Sequence, residues 1–134
     1  MIEIHHDRSD HFGAFIALNE AWIKRFFALE EADRRLAANP GRILDEGGAI
    51  WTAAESDQVV GACALFKQDE RTFELARMAV APDHQNRGIG RELASTAIRW
   101  ADDNGATRIA LLTNTVLAPA VALYRSLGLR TTRE

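Results

Sequence analysis

The segment from residue 72 to residue 101 constrains the fold most, because a turn with two glycines joins a strand-like run to a helix-like run. Residues 72–80 alternate between apolar and polar, which predicts a half-buried strand. Apolar residues then recur every three or four positions from Ile89, which predicts an amphipathic helix. A strand that enters a helix through glycines can present bare backbone to a ligand, so this turn is a candidate binding site.

The remaining apolar patterns predict a chain that alternates between strands and helices. Strands are predicted at residues 2–6, 49–54, 59–66 and 108–113, with another beginning at Leu129. Helices are predicted over residues 12–36, with a break in the middle, and over 120–127; Ser9 and Asp10 are the predicted N-caps of the first. Because helices flank residues 108–113, we expect that strand to be buried and parallel to its neighbour. The sequence therefore predicts one mixed α/β domain over residues 1–134.

Composition narrows the class of protein. The net charge is −3 and no run of Lys or Arg could follow a phosphate backbone, which argues against nucleic acid as a partner. No apolar run approaches the ~20 residues of a membrane span, so we expect no membrane partner. The first residues lack a basic region followed by an apolar core, which predicts a cytoplasmic location. Cys63 is the only cysteine and lies in an apolar run, so a buried structural role is favoured over a catalytic thiol.

Two phosphate-binding motifs fail at the glycine turn. A dinucleotide-binding fingerprint needs a third small residue, where this chain has Glu92, and an acidic residue about 20 positions further on. Asp102 and Asp103 come too early for that role. The nucleoside triphosphate loop fails as well, because the turn has no Gly-Lys followed by Ser or Thr.

A simpler anion site remains at the start of the predicted helix. The first N–H groups of a helix have no partner within it and carry a partial positive charge. Gly88 and Gly90 would let a diphosphate approach the main chain, and Arg87 and Arg91 add cationic side chains. From the glycines alone, a tight turn without a ligand is an equally good interpretation.

Four stretches together resemble the GNAT superfamily of N-acetyltransferases. Gln85-Asn-Arg-Gly88-Ile-Gly90 is similar to that family's acetyl-coenzyme A pyrophosphate motif, Arg/Gln-x-x-Gly-x-Gly/Ala. Residues 74–82 resemble its fourth strand, residues 108–114 its fifth strand, and residues 120–128 its Ala-x-x-Leu-Tyr-x-x-x-Gly helix. The resemblance implies a mixed central sheet, flanked by helices, whose fourth and fifth strands splay apart.

The resemblance also implies where acetyl-coenzyme A would bind. The main chain of Met78 and Val80 would pair with the pantetheine arm as an added strand would. Backbone N–H groups from Arg87 to Arg91 would hold the pyrophosphate. The implied cofactor-binding residues are Met78, Ala79, Val80, Gln85, Asn86, Arg87, Gly88, Ile89, Gly90, Arg91 and Asn114.

Two residues are the catalytic candidates that the resemblance implies. Glu74 would accept a proton from the amine through water, and its alternative role is that of a structural carboxylate. Tyr124 would protonate the departing thiolate, and its alternative is a tyrosine buried in the core. The main-chain N–H of Met78, or else of Val80, would polarise the thioester carbonyl. Many relatives carry an asparagine where this chain has Leu117, and Asn114 is the candidate to replace it.

The acceptor site is predicted on the first helical region. Asn19, Trp22 and Glu74 are the candidate substrate-binding residues, although Asn19 could instead lie on an ordinary helix surface. Core packing is favoured over pocket lining for Trp22, Phe26 and Phe27. No metal is expected, because the nearby histidines and acidic residue, which are His5, His6, Asp7 and His11, mix a strand with a loop.

The leading hypothesis is an enzyme that moves an acetyl group from acetyl-coenzyme A to a primary amine of a small molecule or protein, by direct attack in a ternary complex. The alternative is a non-catalytic acyl-coenzyme A sensor of the same fold. The family's last strand is not recognised before Glu134. Truncation, a longer tail, or a second molecule that covers the open sheet edge, as in a homodimer, would each account for this.

Overall fold

The computed structural model describes residues 2–112 and 130–132, and within them it contains one mixed sheet of six strands. The strands follow chain order across the sheet, with the first four antiparallel and the last two pairs parallel. This confirms the predicted mixed α/β class. The strands are β1 (Ile2–His6), β2 (Ala49–Glu55), β3 (Gln58–Asp69), β4 (Thr72–Val80), β5 (Arg108–Leu112) and β6 (Arg130–Thr132).

Four α-helices flank the sheet in this part of the chain. They are α1 (Phe12–Phe26), α2 (Glu31–Ala38), α3 (Arg42–Asp45) and α4 (Ile89–Asp103), and single 3-10 turns lie at Ser9–His11 and Pro82–His84. None of the helices in the described residues has the length and apolar character that a membrane span requires.

The predicted break in the first helical region is confirmed, but its predicted N-caps are wrong. A capping box between Glu30 and Asp33 starts α2, and this restart separates it from α1. Ser9 instead opens a 3-10 turn, and the Asp10 carboxylate accepts a hydrogen bond from Arg8 Nε at 2.8 Å. The Asp10 side chain is therefore engaged in an exposed ion pair with Arg8 and does not cap α1.

Apolar clusters cover both faces of the sheet. On one face α4 packs against β2, β3 and β4, with Trp51, Leu65 and Leu93 at its centre. On the other face α1, α2 and α3 pack against β2 and β3 around Phe15 and Ile50. These two faces are called the α4 face and the α1 face below.

A β-bulge at Arg77 interrupts the regular pairing of β4 with β3. Arg77 and Met78 of β4 together lie opposite Cys63 of β3, and Arg77 has a φ of 58°. Leu75 and Val80 consequently both pack on the α4 face, although five positions separate them. The strict alternation predicted for residues 72–80 is therefore wrong at Arg77, because the extra residue reverses the faces beyond it.

The described pairing between β4 and β5 ends just before the bulge. Their pairing runs from Thr72 opposite Arg108 to Leu75 opposite Leu111. Within the described residues, β4 has no partner on this side from Ala76 onwards. Pairing along only the first part of β4 is what the splay implied by the resemblance requires, and the splay itself stays a prediction.

Gly61 on β3 sets how closely the start of α4 approaches the sheet. A Cβ at this position would lie 3.0 Å from Ile89 Cγ2 and 3.2 Å from Leu93 Cδ1, closer than atoms normally pack. Glycine within a strand often marks such a close approach. The first turn of α4 rests directly on this strand as a result.

Gly61→Val should destabilise the protein, because its side chain would push the first turn of α4 away from β3. We expect the free energy of unfolding to fall by about 1–3 kcal/mol, as overpacked cores usually lose. Gly13→Ala is the control, since a Cβ at Gly13 on α1 has no neighbour within 4 Å. That variant should be neutral or up to about 1 kcal/mol more stable. Equal urea midpoints for Gly61→Val and the wild type would contradict the packing.

Candidate functional site

The turn between β4 and α4 presents the start of a helix to solvent. Gly88 is the N-cap of α4, with a φ of 81° and no side-chain cap, and its carbonyl accepts a hydrogen bond from Glu92 N at 3.0 Å. The N–H groups of Ile89 and Gly90 precede that first helical bond, so they point out of the start of α4. This arrangement favours an anion at the turn.

Open space adjoins the main chain at Gly88. A Cβ added there would meet no atom within 4 Å, so glycine is needed for its left-handed backbone and not to avoid a clash. Asn86, two residues earlier, also has a positive φ of 62°. Ile89 is buried against the α4 face, which anchors the turn from below. A ligand can therefore reach the backbone at Gly88 without displacing a side chain.

The edge of β4 that faces the splay leads directly into this turn. Ala81 N donates to Val60 O of β3 at 2.8 Å, so the main-chain groups of Val80 face the other way, toward the open side. The Val80 carbonyl accepts a hydrogen bond from Gln85 Nε2 at 3.2 Å, which ties the turn to the strand. Because alternate residues share a direction, the Met78 main chain also faces the opening, while that of Ala79 faces β3.

An ionic cluster that the sequence did not reveal supports the turn from β2. Arg87 Nη2 lies 3.2 Å from Glu55 Oε2, and His84 Nε2 lies 3.4 Å from Glu55 Oε1. His84 is buried, and its Nδ1 lies 3.1 Å from Asp83 Oδ1. The hydrogen bond from His84 and the positive charge of Arg87 outweigh desolvation and hold the pKa of Glu55 below its ordinary value. Glu55 therefore fixes the side chain of Arg87 at the turn.

Glu74 lies on the α1 face, opposite the face that receives Met78 and Val80. It sits across from Phe66 of β3, which packs against the α1-face cluster, and directly opposed residues share a face. Its side chain is half-buried. The described pairing of β4 with β5 ends one residue further along the strand, at Leu75.

The acceptor candidates on α1 occupy different environments. Asn19 is only 4% exposed and shares the inward stripe of α1 with Phe15 and Ile23, so the helix-surface interpretation of Asn19 is wrong. Trp22 is half-buried, and its ring centroid lies 6.2 Å from that of Phe27. Phe27 is 43% exposed, which makes the predicted core role of Phe27 wrong. The helix ends at Phe26, and this leaves Phe27 outside the packed stripe.

The remaining candidates from the sequence are an asparagine, a tyrosine, the cysteine and the histidines near the start of the chain. Asn114 and Tyr124 lie outside the described residues. Cys63 is fully buried, as predicted, and burial raises the pKa of its thiol. His11 Nδ1 lies 2.7 Å from Thr52 Oγ1. No group of three or more potential metal-ligating side chains occurs within residues 2–112 and 130–132.

Comparison with known sequences identifies relatives over most of the chain. The model of the acetyltransferase (GNAT) family matches residues 8–129. Among curated proteins, N-acetyltransferase 8B from Rattus norvegicus is 32% identical over 97 residues. That alignment covers 69% of this chain and 44% of the relative, so the chain spans less than half the length of this curated protein.

Solved structures share the fold. An acetyltransferase of the GNAT family from Staphylococcus aureus Mu50 has a TM-score of 0.85 at 22% identity, covering 96% of this chain and 84% of that one. A protein described as a predicted acetyltransferase with acetyl-CoA, from Clostridium acetobutylicum, has a TM-score of 0.80 at 13% identity, covering 98% and 92%. Because the family match runs through both the open edge of β4 and the glycine turn, the chain belongs to the acetyltransferase (GNAT) family.

Proposed function

We propose that the chain transfers an acetyl group from acetyl-coenzyme A to a primary amine of a small molecule or a protein. The carrying observation is that the open edge of β4 is joined to the helix start at Gly88 by one short connection, which contains the 3-10 turn Pro82–His84. An extended amide arm and a diphosphate, which coenzyme A joins in one molecule, can be bound by these consecutive segments. Membership of the acetyltransferase family supports the same substrate.

Binding would use main-chain groups almost throughout. Met78 and the N–H of Val80 would pair with the pantetheine amides as an added strand does. The N–H groups of Ile89 and Gly90 would donate to the pyrophosphate, where the backbone is accessible. Gln85 would keep the two segments in register through its bond to the Val80 carbonyl. The remaining assigned positions are Ala79, Asn86, Arg87, Gly88, Arg91 and Asn114.

Transfer would occur in one ternary complex. The neutral amine nitrogen attacks the thioester carbonyl carbon, a C–N bond forms, and the C–S bond breaks with its electron pair leaving on sulfur. Glu74 takes the amine proton through a water molecule, and Tyr124 gives a proton to the thiolate. The N–H of Met78 donates to the developing oxyanion. Asn19 and Trp22 would face the acceptor on the side of Glu74.

Three accompanying assignments stay predictions: the cytoplasmic location, the absence of nucleic acid and membrane partners, and a homodimer. The mildly acidic net charge of −3 argues against a nucleic acid partner and suits a cationic amine.

Gly88→Ala should weaken coenzyme A binding more than it destabilises the fold. Its Cβ would project into the open space beside the helix start and keep the diphosphate from the backbone, so we expect the dissociation constant to rise about tenfold, equivalent to about 1.4 kcal/mol. Gly105→Ala is the matched control, because Gly105 has a φ of 88° and equally open surroundings beyond the other end of α4. Both variants should lose about 1–2 kcal/mol of folding stability, the usual cost of a left-handed alanine.

Isothermal titration calorimetry with coenzyme A separates the two effects. Equal affinities for Gly88→Ala and Gly105→Ala would remove the turn from the binding site. Failure of the wild type to bind coenzyme A would overturn the proposed function itself.

Glu74→Gln and Tyr124→Phe should each lower kcat with little change in acetyl-coenzyme A binding, because each removes a proton transfer. General acid or base groups commonly contribute about 10²–10⁴-fold. Thiol release from acetyl-coenzyme A over a panel of amines measures this, with Glu70→Gln as the control, since Glu70 is 93% exposed in its side chain. An unchanged kcat would exclude the altered residue from the mechanism. Binding without turnover on any amine would favour the acyl-coenzyme A sensor.

A further inference from the structure

Arg77 adopts a backbone conformation that its surroundings must hold in place. Among the described residues other than glycine, four have a positive φ, and Arg77 alone of these lies within a strand. A left-handed conformation in a residue with a long side chain persists only where contacts over-determine it. The contact that holds Arg77 is therefore part of what forms the bulge.

An ion pair with Asp33 of α2 supplies such a contact. Arg77 Nη1 donates to Asp33 Oδ1, and the two side chains are only 21% and 11% exposed. Asp33 Oδ2 also accepts a hydrogen bond from Glu30 N at 2.8 Å, as part of the capping box that begins α2. Burial would raise the pKa of Asp33, but these two hydrogen bonds and the charge of Arg77 hold it below its ordinary value. The pair is thus ionised and locked to the start of a helix.

The pair acts at the point where the coenzyme site begins. Pairing between β4 and β5 ends at Leu75, and the extra residue of the bulge turns Met78 and Val80 onto the α4 face. The position of the Arg77 side chain on the α1 face therefore determines which way the main chain of Met78–Val80 faces. Residues 33 and 77 are 44 positions apart, so α2 and β4 are joined here by this side-chain contact.

We propose that Asp33 is a positioning residue for acetyl-coenzyme A: through Arg77 it holds the bulge of β4, and so sets the Met78–Val80 edge to receive the pantetheine arm. This inference rests on the proposed function. The competing explanation is that the pair only attaches α2 to the sheet. In that case its loss would lower stability and leave the affinity for the coenzyme unchanged.

Asp33→Asn tests the proposal with little change in shape, because asparagine can still accept the hydrogen bond from Glu30 N. We expect the dissociation constant for coenzyme A and the KM for acetyl-coenzyme A to rise about tenfold, with kcat at saturation within about twofold of the wild type. Glu31→Gln is the control for charge, since it neutralises an exposed carboxylate on the same helix. Leu36→Ala is the control for stability, because it removes apolar packing of α2 and keeps both charges.

Leu36→Ala should lower Tm at least as much as Asp33→Asn while leaving the dissociation constant for coenzyme A near that of the wild type. The Tm difference between the wild type and Asp33→Asn should be present above pH about 4 and disappear as the pH falls through the lowered pKa of Asp33. If Asp33→Asn binds coenzyme A as tightly as the wild type, or if both α2 variants lose affinity in proportion to Tm, the inference is overturned. The proposed function survives either result, because it depends on binding by the wild type.

Arg77→Gly and Arg77→Ala give a second, independent comparison. Glycine adopts a φ of 58° at little energetic cost even without the ion pair to Asp33. Alanine still carries the energetic cost of this left-handed backbone and lacks the ion pair. We expect Arg77→Gly to retain the coenzyme affinity better than Arg77→Ala. Equal losses of coenzyme affinity in both variants would overturn the inference, because the arginine side chain itself, and not the bulge, would then be what coenzyme binding requires.

Discussion

At Arg77, β4 gains one residue relative to β3, and the arrangement of the candidate site follows from that bulge. The described pairing with β5 ends at Leu75, and the main chain of Met78 and Val80 faces away from β3. A left-handed residue of this kind costs about 1–2 kcal/mol, and the pair with Asp33 is the contact that holds its side chain.

The glycine turn depends on support from elements on both sides of it. Because Gly61 has no side chain, the first turn of α4 lies directly against β3, and this contact sets the distance between the helix start and the sheet. Glu55 at the end of β2 holds Arg87 and the buried His84, which ties the turn to the neighbouring hairpin. Since Arg87 already shares its charge with Glu55, the helix start itself adds positive potential at the turn. Electrostatic attraction and backbone access are thus supplied by the same few residues.

The sequence predicted the parts of this account that local patterns encode. The bounds of β4 and the start of α4 follow from the periods of the apolar residues, and the turn follows from Gly88 and Gly90. The bulge could not be predicted, because Arg77 is not a residue type that signals a left-handed backbone. The supports of the site were missed for a different reason: Glu55 with Arg87 and Asp33 with Arg77 meet only after 32 and 44 residues of chain have folded.

Backbone amide hydrogen exchange, with and without coenzyme A, tests most directly whether the open edge and the helix start form one binding site. Coenzyme A should slow exchange at Met78 and Val80 of β4 together with Ile89 and Gly90 of α4, while amides in β1 keep their rates. Slower exchange at α4 alone would contradict the added-strand pairing at β4. Protection confined to other parts of the chain would contradict the site as a whole.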